Sequence, residues 1–173
     1  MNAPADAPSP APLRAWIGRA AGFLLLFVLL QAGWEAARGT WLERWWIHEL
    51  TVRTAAAAIG VITPEAQARA DGPTIAAPGG GLNVRIGCDG ADVVFLLAAA
   101  ILCFPMRWRV RLAALASGVV FVFVLNQLRV VGLFYAFRHD RALFDLMHAA
   151  GAPLLMVALC GLFFHAWQRH DQR

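Results

Sequence analysis

Four stretches of the chain carry no charged residue: Ala20–Trp34, Val93–Met106, Leu112–Leu128 and Ala149–Gln168. Each is bounded by arginine, glutamate, aspartate or, before Ala149, histidine, and none shows the alternation of a half-buried strand. Some fall short of the roughly 20 residues that span a hydrocarbon core comfortably. Their ends must then recruit flanking polar residues or thin the bilayer. A fifth segment, Trp41–Ile62, is patterned differently. Leu42, Trp45, Trp46 and Leu50 recur at helical spacing while Glu43, Arg44, Glu49 and Arg53 occupy other positions. That pattern predicts an amphipathic helix lying in the membrane interface with its tryptophans at headgroup level; an ordinary packed helix is the plainer alternative. Between Thr63 and Gly87 the chain turns polar. Thr74–Ala77 and Leu82–Ile86 flank Pro78-Gly79-Gly80-Gly81, and Leu82, Val84 and Ile86 alternate with Asn83 and Arg85. This predicts a β-hairpin. The glycine run lacks the GK[ST] of a phosphate loop.

Charge then orients the spans. Arg107, Arg109 and Arg111 crowd one short connection, Arg14 and Arg19 precede the first span, and Arg169 and Arg173 follow the last. Under the positive-inside rule all three groups mark the cytoplasmic side. Four spans with both termini inside satisfy them together, leaving Thr63–Gly87 and Arg138–Asp145 outside as solvated connections. The expected architecture is an all-α integral membrane protein of about four transmembrane helices. An interfacial amphipathic helix and a small extracytoplasmic β-hairpin complete it. Residues 1–12, rich in Pro and Ala, read as a disordered cytoplasmic tail, 13–168 as one transmembrane domain and 169–173 as a cytoplasmic tail. The first span follows a basic region as a signal peptide does. No small-x-small cleavage site is evident directly after Gln31, where Trp34 and Glu35 interrupt the small residues, which favours an uncleaved anchor.

Composition agrees with lipid as the solvent, at 60% hydrophobic and 15% charged residues against about 45–50% and about 25% in soluble domains. The net charge of +4 comes from fifteen arginines and no lysine, a coding bias more than a nucleic-acid footprint, and no nucleic-acid motif accompanies it. Cys88, Cys103 and Cys160 are odd in number and far apart, so they form no disulfide framework. No Cys/His array has zinc spacing, and nothing calls for a cofactor.

Helical rise supplies the candidate chemistry. Eighteen or nineteen helical residues cover about 27–29 Å, close to the hydrocarbon thickness. Nineteen residues before Arg107 stands Cys88, eighteen after Arg111 stands Arg129, and nineteen before Trp167 stands His148. Three different spans thus bring a cysteine, an arginine and a histidine to one extracytoplasmic interface. Cys88 precedes a helix N-terminus, whose unpaired amides favour a thiolate, while Asp89 and Asp92 oppose it by charge. His148 is suited to exchange a proton with the thiol and the leaving amine. Arg129 is costly at membrane depth unless paired or functional, and it is suited to hold an oxyanion or a substrate carboxylate. Asn126 lies one turn away on the same face, placed to orient Arg129 or add a donor. Cys103 and Cys160 fall within spans and read as small apolar residues. Arg138 and Arg141 are secondary candidates for touching substrate.

Three runs carry a resemblance: Gly87-Cys88-Asp89-Gly90, Asn126-Gln127-Leu128-Arg129 and Phe144-Asp145-Leu146-Met147-His148. In that order they resemble the cysteine, NxxR arginine and downstream histidine of the exosortase/archaeosortase family. Phe104-Pro105 before basic residues and Leu133-Phe134-Tyr135 resemble its compact H and M types, and the region Trp41–Ile62 with Ala76–Gly81 is nearest the M type. The resemblance covers roughly Trp34 to Trp167. It implies a cysteine protease/transpeptidase of the bacterial cytoplasmic membrane with Cys88 as nucleophile, Arg129 as stabiliser and His148 as acid/base. Its implied partners are the bilayer and exported proteins ending in a short motif, a transmembrane helix and a basic tail. The chain is shorter than typical members, which leaves a partner subunit open.

Other functions fit less well. An aspartic lipoprotein signal peptidase needs two carboxylates from different elements, and here Asp89 and Asp92 are neighbours. A quinone-linked disulfide oxidase needs paired cysteines. A non-catalytic assembly or chaperone subunit of an export or exopolysaccharide system is the serious alternative.

Overall fold

The computed structural model describes residues 10–84 and 87–172. Of the expected disordered tail, residues 1–9 lie outside the described residues and 10–12 form the start of a helix. So do Arg85 and Ile86 of the expected second hairpin strand, and Arg173. Helix α1 (Pro10–Ala36) leads through a corner to a helical segment made of α2 (Trp41–Arg44), a π-helical stretch (Trp45–Val52) and α3 (Arg53–Ile62). Three short strands follow, β1 (Arg69–Asp71), β2 (Thr74–Ala76) and β3 (Leu82–Asn83). The remaining helices are α4 (Ala91–Cys103), α5 (Trp108–His139), α6 (Arg141–Leu146), a π turn (Met147–Gly151) and α7 (Ala152–Asp171).

Three helical segments are long and apolar enough to cross a membrane: Leu13–Ala36, Trp108–His139 and Arg141–Asp171. The fourth apolar helix, α4, has only 13 residues, about 20 Å of rise. Its span is completed by extended backbone from Phe104, where Pro105 removes an amide and biases the residue before it away from helix. Arg109 and Arg111, expected in a loop, lie in the first turn of α5. The arginine-bearing ends gather. The Arg107 guanidinium donates to Asp171 at the end of α7 through Nε at 2.8 Å, and Trp16 of α1 meets Phe104 edge-on at 6.0 Å.

Helix α5 ties two cores together. Toward the arginine end, Leu97, Ile101, Ala114, Val122, Met156 and Cys160 pack α4, α5 and α7 against one another. Toward the opposite end, Val130, Leu133 and Phe134 of α5 pack against Ile47, Val52, Ala55 and Ile59 and against Ile75, Leu82 and Val84 of the sheet. The helical segment 41–62 therefore has two apolar faces. Trp41 and Trp45 are exposed, as an interfacial face requires, while Ile47, Val52, Ala55 and Ile59 are buried in protein.

The expected hairpin is present, with β2 and β3 antiparallel and Ile75 opposite Leu82. Leu82 and Val84 face inward and Asn83 outward. At Gly81 an added Cβ would sit 2.6 Å from the Ile75 carbonyl oxygen, so the turn requires glycine. Sequence patterning missed β1, which pairs with β2 through the two-residue turn Gly72-Pro73; Gly72 has φ +54°, the first position of a type II′ turn. The expected solvated connection Arg138–Asp145 is also mostly helix. Helix α5 runs to His139, and Asp140 caps α6 by accepting from the Leu143 N–H at 3.0 Å.

Candidate active site

The site forms where the two cores meet, at the start of α4. Gly87 (φ +87°) and Gly90 (φ +82°) bracket Cys88-Asp89 in left-handed backbone. Gly90 has a second constraint, because a Cβ there would lie 2.8 Å from Cγ of Asn126. Only glycine allows α4 to begin this close to α5. The loop is pinned twice more. The Asp89 carboxylate accepts from the Gly87 N–H at 3.0 Å, and the Asp89 carbonyl accepts from Nε1 of Trp46 at 3.3 Å.

On this loop Cys88 is half-buried, with Sγ 4.0 Å from Nδ1 of His148 and 4.0 Å from Nη2 of Arg129. The three residues placed on one interface by helical rise do come together, each from a different element. Arg129 sits mid-α5, with its Nε buried and without a hydrogen-bond partner among the described residues. His148 is exposed and lies in the π turn. Pro153, five residues on, has no N–H for the Ala149 carbonyl and its ring clashes there, which widens the turn. Phe144, one turn earlier, stacks on His148 at 5.3 Å with planes 7° apart and fixes the imidazole plane.

Asn126 is 1% exposed, and among the described residues both its amide atoms lack a hydrogen-bond partner. It packs against Gly90 and is not hydrogen-bonded to Arg129. Its neighbour Gln127 donates to the Leu50 carbonyl at 3.3 Å, an acceptor in the π-helical stretch. Thr51 Oγ1 donates to the Trp46 carbonyl five residues back, at 2.9 Å. Arg138 donates to the Pro78 carbonyl at 2.9 Å and Arg141 lies 3.7 Å from the Phe137 ring centroid. Both serve the hairpin turn and the α5–α6 corner. Cys103 and Cys160 belong to the span helices, as expected.

Electrostatics at the thiol are divided. Burial pushes the Cys88 thiol above its usual value; the Arg129 charge and hydrogen bond pull it down, and Asp89 and Asp92 push it up again. Asp89 is itself pushed up to about 6, chiefly by burial and partly offset by backbone N–H donors. Among the described residues no group of three His, Cys, Asp or Glu side chains gathers to hold a metal ion.

Sequence reasoning missed three supports of the site. Phe144 was accessible to it, four residues before His148 on the same helical face. Trp46 and Gln127 act across 43 and 77 residues, and no local pattern announces such contacts.

No curated protein and no solved structure matches the chain. A family model for transmembrane exosortases matches residues 11–165, which takes in α1, the loop with Cys88, Arg129 on α5 and His148. By that match the chain belongs to the transmembrane exosortase family, in general membrane proteases and transpeptidases that act on exported proteins bearing C-terminal sorting signals.

Proposed function

We propose that this protein cleaves a peptide bond of an exported protein through a covalent Cys88 thioester, on the extracytoplasmic face of the bacterial cytoplasmic membrane. The observation that carries the reading is the approach of Arg129 and His148 to one sulfur, each at 4.0 Å. Burial outweighs Arg129 at the resting thiol, so deprotonation accompanies attack and falls to His148. The sulfur adds to the scissile carbonyl carbon, and the carbonyl oxygen gains the negative charge. Arg129 holds that oxyanion with a planar cation. As the intermediate collapses, the C–N bond breaks and His148 returns its proton to the departing amine. A second nucleophile, water or an acceptor amine, then attacks the thioester; His148 takes its proton and the thiolate leaves. Asn126, filling the space against Gly90, supports the junction of α4 and α5.

The arginine-bearing ends supply the orientation. Arg14, Arg19, Arg107, Arg109, Arg111 and Arg169 belong on the cytoplasmic side, with the sheet and Cys88 at the opposite end. The test compares the C-termini of exported proteins by mass spectrometry in cells carrying wild type or Cys88→Ala. Truncated C-termini are expected with wild type, Cys103→Ala and Cys160→Ala and absent with Cys88→Ala. Processing that survives Cys88→Ala removes the protease reading and leaves a non-catalytic assembly subunit.

A further inference from the structure

Helix α1 packs along α4, and α4 packs on α5 and α7. A groove therefore lies over α4 between α1 and α7. Two cavities form it. One of about 190 Å³ is walled by Phe23 of α1, Ala100 of α4, and Gly161 and Phe164 of α7. The other, of about 250 Å³, is walled by Phe27, Val93 and Pro153 and reaches Gly87, Gly90, Asp92 and Arg129. Leu96 and Val157 belong to both, so the groove is continuous from beside the thiol down into the span. From Pro153 to Phe164 on α7 it runs for eleven residues, about 16 Å.

We infer that this groove seats the transmembrane helix of the substrate, on the carboxyl side of the bond that Cys88 attacks; the inference rests on the cysteine-protease reading above. Three features select that occupant. The lower walls are entirely apolar, and Phe23 and Phe27 stack into one flat side, 6.4 Å between centroids and 8° between planes. A polypeptide lying there in lipid must be helical, because every backbone group has to be satisfied internally. Ala100 and Gly161 are small, and a Cβ added at Gly161 meets nothing within 4 Å. Small residues let a second helix backbone approach closely. The third feature is continuity with the site. The upper mouth is lined by Gly87 and Gly90 of the thiol loop and by Arg129 of α5, so the outer end of a seated helix is delivered to Cys88. Direction follows from the proton donor. His148 stands five residues before Pro153 on the same helical segment and protonates the amine that leaves. The fragment in the groove is therefore the departing one, its new N-terminus uppermost.

The experiment uses full-length protein in phosphatidylethanolamine/phosphatidylglycerol vesicles and a synthetic single-span peptide. The peptide has a Leu/Ala core of roughly 20 residues and a short polar N-terminal extension. A photo-reactive residue replaces Val157 in the groove or Leu162, which is 66% exposed on another face of α7. An adduct with the peptide is expected from position 157 and not from 162. It is lost when Gly161→Trp fills the groove and retained in Leu162→Trp, the control for an added indole on α7. The peptide is also expected to slow maleimide alkylation of Cys88, and not to do so in Gly161→Trp. Equal adducts from both positions, lipid adducts alone at 157, or a peptide adduct that survives Gly161→Trp would overturn the inference. Its failure is separable from failure of the catalytic reading. Processing that survives Cys88→Ala with the 157 adduct intact strikes the chemistry alone. Processing lost in Cys88→Ala with the adduct indifferent to Gly161→Trp strikes the groove alone.

Discussion

Replacing Asp89 by asparagine separates two roles that its position gives it. Asp89 is 1% exposed, and its carboxyl is pushed up to about 6 from the ordinary 3.8. A carboxyl whose native pKa is raised binds its proton more tightly when folded. Its contribution is favourable below the unfolded value and is lost as pH rises through the folded one. A shift of about 2 units at 1.36 kcal/mol each amounts to about 3 kcal/mol, nearly all of it lost by pH 7. An asparagine side chain stays neutral throughout and keeps an oxygen for the Gly87 N–H. Reversible unfolding in mixed micelles from pH 4 to pH 8 is the assay. Asp89→Asn is expected to lie within about 0.6 kcal/mol of wild type at pH 4 and to be about 3 kcal/mol more stable at pH 8. The same change removes a negative charge that raises the Cys88 thiol, so maleimide alkylation of Cys88 at pH 7 is expected to be faster in the variant. Parallel stability profiles, or slower alkylation, would show that Asp89 neither costs stability when ionised nor raises the thiol. Loss of processing in Asp89→Asn with the thiol dispensable would instead place an aspartate in the chemistry.

Two further substitutions probe the geometry. Arg129→Lys keeps a cation but loses the planar fork, and it is expected to slow processing by about 10²–10³-fold, the usual loss for one oxyanion donor; wild-type turnover in a C-terminal processing assay would contradict that role. Gly90→Ala combines left-handed backbone, about 1–2 kcal/mol, with overpacking against Asn126, about 1–3 kcal/mol, and a total loss of about 2–5 kcal/mol is expected in the unfolding assay.

The features legible in the sequence are those with a fixed period or a fixed rise. Apolar runs and arginine placement located the spans. Counting along them brought Cys88, Arg129 and His148 together although α4 is shorter than the count assumed. The extended residues around Pro105 rise more per residue than a helix does, and this compensates. Alternation through Leu82–Val84 located the hairpin. What failed was local pattern overridden by distant packing. The π-helical stretch Trp45–Val52 departs from a 3.6-residue period and turns Ile47, Thr51 and Val52 into the protein, a buried face that the interfacial stripe Leu42, Trp45, Trp46 and Leu50 gave no sign of. Charged Arg138–Asp145 looked like a loop because a helix that leaves the apolar layer has no apolar run to reveal it. Asn126 packs on Gly90 because α4 approaches α5 so closely, and its amide makes no hydrogen bond to Arg129.

Acyl transfer through a Cys88 thioester leaves an intermediate that an added nucleophile can trap. Hydroxylamine supplied to membranes that hold unprocessed exported proteins should intercept a thioester ahead of water or the native acceptor. Mass spectrometry of the newly formed C-termini is expected to find hydroxamates with wild type and no new C-termini with Cys88→Ala. New C-termini that remain carboxylates at saturating hydroxylamine, or that form equally in Cys88→Ala, would contradict the account.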